Sequence, residues 1–286
     1  MERADRVAAG SPSKITSPRP TFLPMGPHLT NVLVSFVRLA FWFVLLALIF
    51  IPLERLFSQT RQPILRRDWW ADFGLYFLNG LLPPLLLILP MAWLSSGFSG
   101  LTHWPYYQAM NQLPASLRFL LALVVGDIGG YWGHRWCHTN PFLWRIHRVH
   151  HSAEAMDWLV NTRANPIDIV VPRLSGVTLI YAVGIAQPVS ALGGAVAFYY
   201  VLVGTIWSYF VHANIRFRFG FLEQVLASPA FHHWHHANDD PRHLDHNFAA
   251  LFPWVDRLFG TLLLPSRRWP ASYGLLREQQ ASTSIA

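Results

Sequence analysis

The residues of this chain best suited to chemistry are three short histidine runs: His134-Arg135-Trp136-Cys137-His138, His147-Arg148-Val149-His150-His151 and His232-His233-Trp234-His235-His236. Thirteen of the 14 histidines lie beyond residue 100. Neutral imidazole is a ligand for iron, zinc, copper and nickel, and burying many imidazoles is costly unless something binds them. Spacings of three and four place side chains on one face of an α-helix, about a turn apart. His134 and His138 are four apart; His147, His150 and His151 combine three and four; His232, His235 and His236 repeat that pattern. Eight imidazoles exceed what one ion uses, so a pair of metals sharing the site follows. His212, closing a long apolar run, is a ninth candidate. A closed structural zinc site usually includes cysteines, and Cys137 is the one cysteine. Copper and nickel fit by ligand type alone. Iron fits a nitrogen-rich site that keeps positions open for dioxygen.

The elements that must position these runs are apolar. Residues 1–30, rich in Ser, Pro, Arg and Lys, read as a mobile tail rather than a signal peptide. Val32 to Leu53 is nearly uninterrupted Leu, Phe, Val, Ile and Ala, enough to cross a bilayer core of ~30 Å. A basic stretch and Trp69-Trp70, suited to the interface, precede a second apolar run from Phe73 to Leu94. Pro83 and Pro84 inside that run predict a kink or a segment that turns back. Residues 95–113 lack Lys and Arg, which places them on the non-cytoplasmic side, and Leu117 to Trp132 returns to deliver His134. Asp168–Ala186 and Ser190–His212 read as a helical hairpin, and the chain from Ala213 onward as cytoplasmic. The expectation is an all-α integral membrane bundle of four or five transmembrane or re-entrant helices, capped on the cytoplasmic side by a polyhistidine dimetal site. The domain then runs over 31–265, with metal-binding portions at about 134–167 and 212–265, and a C-terminal tail over 266–286.

Composition agrees and excludes other classes. The chain has 286 residues, 52% hydrophobic and 13% charged, with mean hydropathy +0.27, well below the roughly 25% charge of soluble domains. The net charge of +7 sits beside apolar spans, at Arg55, Arg61, Arg66 and Arg67 and at Arg216 and Arg218. That fits lipid headgroups rather than nucleic acid. One cysteine excludes a disulfide framework or an iron–sulfur cluster within the chain. A membrane metallohydrolase would need a carboxylate among the ligands, and no Glu falls inside a cluster. A metal transporter would place its histidines within the spans rather than beside them.

The order HxxxH, HxxHH, HxxHH, with Asp127 and Tyr131-Trp132 before it, resembles the fatty acid hydroxylase/sterol desaturase superfamily of membrane proteins. So does the ending Asn247-Phe248-Ala249 and Asp256-Arg257-Leu258-Phe259-Gly260-Thr261. The resemblance covers roughly residues 70–265. It implies a four-helix scaffold, two iron ions, O2 as co-substrate, and hydroxylation or desaturation of a lipid such as a sterol, fatty acyl chain, carotenoid, ceramide or alkylglycerol. With no haem, flavin or iron–sulfur segment in the chain, it also implies a separate reductase with a ferredoxin- or cytochrome-type carrier. A bacterial inner membrane is the expected location. Carried over by position, the metal ligands are His134, His138, His147, His150, His151, His212, His232, His235 and His236. His233 competes with His232, and His246 is a further alternative. Asp127, two turns before His134, is expected to accept a hydrogen bond from a ligand imidazole, or else to pair with Arg135 or cap a helix. Asp256 is expected either to support a ligand or to pair with Arg257. Asn165 stands where many relatives have histidine, and Val255 separates Trp254 from Asp256.

Overall fold

The apolar runs form long helices, and the histidine runs gather where those helices end. The computed structural model describes residues 27–187, 191–265 and 268–276. In order come α1 (Pro27–Leu56), α2 (Trp69–Ser99), α3 (Pro105–Gln112), α4 (Ala115–Thr139), α5 (Pro141–His147), α6 (Pro166–Ala182), α7 (Ala191–His212), α8 (Pro229–His235) and α9 (Pro253–Leu258). Among the described residues there is no strand, only two isolated bridges. Four helices are long and apolar enough to cross a membrane: Thr30–Leu56, Trp69–Ser99, Ala115–Thr139 and Gly194–His212. The tail expected over 1–30 lies mostly outside the described residues, and the helix has begun by Pro27. Large side chains such as Val37, Phe41, Leu48, Leu89 and Trp93 are exposed along α1 and α2, as a lipid-facing band requires.

The second apolar run does not turn back. α2 is one helix of 31 residues through Pro83, Pro84 and Pro90, rising about 46 Å. Proline removes one backbone donor and crowds the preceding turn, but neighbouring segments support a bundle helix.

α4 carries the first histidine run and lies very close to α6. A Cβ on Gly129 would sit 2.7 Å from the Ser175 carbonyl, and one on Gly133 would sit 2.9 Å from the Pro172 Cα. Small residues at this crossing let the two backbones approach, which sets the end of α4 beside the start of α6.

On the histidine side, the loop between α1 and α2 is fastened to the segment before α6 by buried charge. Arg66 pairs with Asp72 and, at 2.7 Å, with Asp157; Arg163 pairs with Asp72 at 2.8 Å and Asp68 at 3.3 Å. The carboxylates hold the Arg66 guanidinium above its ordinary value. An aromatic cluster of Phe43, Phe50, Tyr76, Trp158 and Tyr209 fills the space just inside this network. Residues 268–276, expected as part of a free tail, instead pack back. Tyr273 forms a bridge with Ala237, and Asn238 donates its backbone N–H to the Ser272 carbonyl.

Candidate metal centre

Cap-and-proline dipeptides shape the centre. The Asn140 side chain accepts the N–H groups of Phe142 and Leu143, and Pro141 opens α5, so the chain turns sharply between His138 and His147. Asn165-Pro166 starts α6 and Ser228-Pro229 starts α8 in the same way. Asn165 is thus a helix cap. The second histidine run is not one α-helix: His147 ends α5, and His150 and His151 lie in a 3-10 turn.

The nine imidazoles carried over from the resemblance are brought together, in two adjoining groups. His134, His138, His147, His151 and His235 form one; His150, His212, His232 and His236 form the other. Within each group the ligand atoms all lie within 4.8 Å of one another. The groups meet where the rings of His151 and His236 stack at 4.5 Å. Spacing places the imidazoles of a run on one helical face, and the fold divides each of the two HxxHH runs between the groups while keeping His134 and His138 together. Successive helical residues point about 100° apart, so the adjacent pairs His150-His151 and His235-His236 each serve both groups. His147 and His151 join the first group while His150 joins the second. In the other run the roles reverse, with His232 and His236 in the second group and His235 in the first. Two HxxHH runs used in opposite sense make a two-centre site.

Most of the rings are held from behind. Nδ1–H of His134 donates to the Phe248 carbonyl at 2.8 Å, that of His235 to the His246 carbonyl at 2.7 Å, and that of His212 to the Ser208 carbonyl at 2.7 Å. His150 donates to the Arg163 carbonyl at 3.1 Å, His147 to Asp168 Oδ1 at 2.8 Å, and His138 to Asp245 Oδ1 at 3.0 Å. A carbonyl only accepts, so Nδ1 carries the proton and Nε2 keeps a bare lone pair. Those lone pairs face each other. His134 Nε2 lies 3.2 Å from His147 Nε2, and His212 Nε2 lies 3.2 Å from His150 Nε2. His147 Nε2 is also 3.0 Å from His138 Nε2 and 3.1 Å from His151 Nε2. The buried His235 Nε2 and His236 Nδ1 have no hydrogen-bond partner. Converging, unshared lone pairs in a buried site fit cations, and the donor set fits transition metals. Burial, then neighbouring imidazoles, keeps His151, His232, His235 and His236 far below the ordinary histidine range, and His150 at about 4. They are neutral near pH 7, as metal ligation requires.

The two alternatives lie outside both groups. His233 is wedged between the Ala213 carbonyl and the Tyr273 hydroxyl, each at 3.1 Å. The His246 ring donates to the Leu244 carbonyl at 2.6 Å, and only its own carbonyl serves the site, through His235. Asp127 does not accept from an imidazole. Its carboxylate takes the backbone N–H groups of Ala250, Leu251 and Phe252 at 2.9–3.0 Å. Asp256 accepts from the N–H groups of Phe248 and Ala249 and from Thr261 Oγ1, rather than pairing with Arg257. Asn247 donates to the carbonyls of Phe231 and Leu263. The closing signature is therefore a clamp. It holds a loop whose Asp245 and Asn247 sit at φ of 58° and 59°, a left-handed region that Asn and Asp tolerate. That loop presents the carbonyls that orient His134 and His235.

Sequence reasoning missed Asp168, which orients His147 and lies beside Cys137 in a third small group. The available signal was a carboxylate opening a largely apolar helix with no cation in its first turn.

The chain is similar to several known lipid-modifying proteins. Over 173 residues, 60% of this chain and 48% of the relative, it is 31% identical to an ornithine lipid hydroxylase of Rhizobium tropici. It is 29% identical to an alkylglycerol monooxygenase of Danio rerio over 54% of this chain and 32% of the relative. It is 26% identical to a Delta(7)-sterol 5(6)-desaturase of Gibberella zeae over 51% of this chain and 42% of the relative. The match thus spans about half of these relatives' length or less. No solved structure matches the chain. The profile of the fatty acid hydroxylase family matches residues 119–261, half of the chain and all three histidine runs, and the chain belongs to that family.

Proposed function

We propose that the chain is a di-iron, O2-dependent lipid monooxygenase with its histidine side in the cytoplasm. The observation that carries the reading is the pair of all-imidazole groups with opposed lone pairs. The lipid hydroxylases and desaturase among the relatives support the reaction class. Two iron ions, when bound, supply activation of dioxygen and attack on an unactivated C–H bond. The balance is RH + O2 + 2 e⁻ + 2 H⁺ giving ROH and H2O; loss of a second hydrogen in place of oxygen insertion gives a double bond.

The chain's own residues bind and orient. Five and four imidazoles hold the pair, and Asp168, Asp245 and four backbone carbonyls fix their rings. His212 ends a span, so its group adjoins the bundle from which an alkyl chain would reach it. The Phe50–Trp158–Tyr209 cluster keeps water from that side. Both groups consist of imidazole alone among the described residues, which disfavours the hydrolase reading, since no carboxylate stands ready as a base. The two electrons come from a separate reductase through a ferredoxin- or cytochrome-type carrier. Exposed Arg67, Arg145 and Arg257 suit an acidic partner.

The test is iron analysis of the purified protein, with mass spectrometry of lipids from cells with and without the gene. Two irons per chain and a lipid gaining one oxygen, or losing two hydrogens, are expected. Protein that binds no iron, or that consumes no O2 with reductant and a total lipid extract, would overturn the proposal.

A further inference from the structure

Between α6 and α7 lies a cation with no carboxylate partner among the described residues. Arg173 lies on α6 seven residues past Pro166, about 10 Å into the bundle from the histidine side. Opposite it is Thr205, seven residues before His212 on α7, and so at the same depth. Arg173 Nη2 reaches Thr205 Oγ1 only at 3.4 Å. The Tyr209 and Tyr200 phenols act on it electrostatically, and the Tyr200 hydroxyl is already spent on the Gly126 carbonyl at 2.8 Å. Among the described residues no carboxylate pairs with Arg173, whereas Arg66 and Arg163 each hold aspartates. Arg118, in α4, gives Nε to the Ile185 carbonyl and Nη1 to Asn111.

A guanidinium has five N–H donors, and an ionisable group at this depth is kept where something polar must be met. α6 packs mainly on α4 and α2 and touches α7 sparsely, and Arg173, Tyr200 and Thr205 are only partly buried. The guanidinium stays level with Thr205 rather than reaching back to the headgroup region, so snorkelling does not account for it.

We infer that Arg173, between α6 and α7, is an oxyanion-binding residue for the substrate, receiving the carboxylate or phosphate of an anionic lipid whose neighbouring carbons reach the His212 group. This rests on the lipid monooxygenase reading and narrows its substrate class. Arg173 forms the forked, charge-assisted hydrogen bonds that planar oxyanions favour. The oxidised position then lies near the headgroup end of the lipid, because Thr205 and His212 are separated by two helical turns, about 10 Å.

The full chain as purified in uncharged detergent, at alkaline pH and without reductant, is equilibrated with radiolabelled oleate, dioleoyl phosphatidate or oleyl alcohol. Wild type is expected to bind at least one oxyanion about tenfold more tightly than the alcohol; which one identifies carboxylate or phosphate as the natural group. R173Q and R173M are expected to bring that preference below about twofold, leaving alcohol binding and metal content as in wild type. Equal binding of oxyanion and alcohol by wild type overturns the inference, as does an undiminished preference in whichever variant keeps its metal. Binding is read without turnover and metal separately, so failure here leaves the monooxygenase reading standing. Absence of iron would sink that reading without altering the binding result.

Discussion

The two histidine groups share one side-chain chemistry and differ in their support. The group of His150, His212, His232 and His236 is buried throughout, and two of its rings are oriented by main-chain carbonyls of the bundle and the segment fastened to it, Ser208 and Arg163. The group of His134, His138, His147, His151 and His235 is half-buried at His134 and His138, and three of its rings lean on residues 245–248. One group leans on the main chain of α7 and of the segment fastened to it; the other, although His134 and His138 lie on the spanning helix α4, is completed by a clamped loop. The first offers four candidate ligands and none to spare, the second five.

That contrast gives the largest expected effect. H232A removes one of four imidazoles and should cost a metal ion and at least ~10³-fold in activity. H134A leaves four in its group, the number its neighbour manages with. Metal analysis after dialysis should find about one ion per chain in H232A and two, more weakly held, in H134A. Equal loss in both would break the comparison.

Acid should strike the metal-free protein next. Burial keeps His150 and His233 at about 4 against an unfolded value of 6.5. Between those pH values the unfolded chain takes up protons that the folded chain refuses. Stability from these residues is therefore complete above 6.5 and falls as pH drops toward 4, by about 3 kcal/mol for each group. Thermal melting of the chelated protein should move down steeply between pH 7 and pH 5, and bound metal should blunt the change at His150 but not at His233. A flat profile would mean these rings are not kept neutral.

The clamp comes third. D256A leaves the buried N–H groups of Phe248 and Ala249 without their acceptor, a loss of about 1–3 kcal/mol. The damage should fall on the loop-supported group, seen as one metal exchanging faster with a chelator while the other is unaffected. Two metals loosened alike would show that the clamp supports the whole cap.

Much of this was legible in sequence for a simple reason. The helical period is short and strict, so HxxxH and HxxHH announce convergent rings, and the frame that favoured His232 over His233 is the one the fold uses. What stayed hidden depends on contacts distant in sequence. Nothing in His150-His151 or His235-His236 says that adjacent rings serve different centres, because that requires knowing how the two runs oppose each other. Asp127 and Asp256 sat near ligands in sequence, yet their partners are backbone amides that no residue type advertises. Asp168 read as the start of a hairpin because its ring partner lies 21 residues earlier. The prolines of α2 suggested a kink or a turn-back; the helix does not turn back, and neighbouring segments pack along it.

The smallest expected effect tests the comparison most finely, because it changes burial while keeping the chemistry constant. Asp168 and Asp245 each accept Nδ1–H from a ring of the same group, at 2.8 and 3.0 Å. The Asp168 side chain is 7% exposed and that of Asp245 is 62% exposed. Without Asp168, His147 loses its acceptor where water cannot replace it, and metal affinity should fall roughly 10–100-fold. Without Asp245, water can take over the Nδ1–H of His138, so D245A should weaken metal binding by no more than about threefold. Chelator competition on D168A and D245A measures both. If D245A proved the worse of the two, the left-handed turn at Asp245 would matter more than its carboxylate, and D245N, which suits that turn, should then restore the affinity.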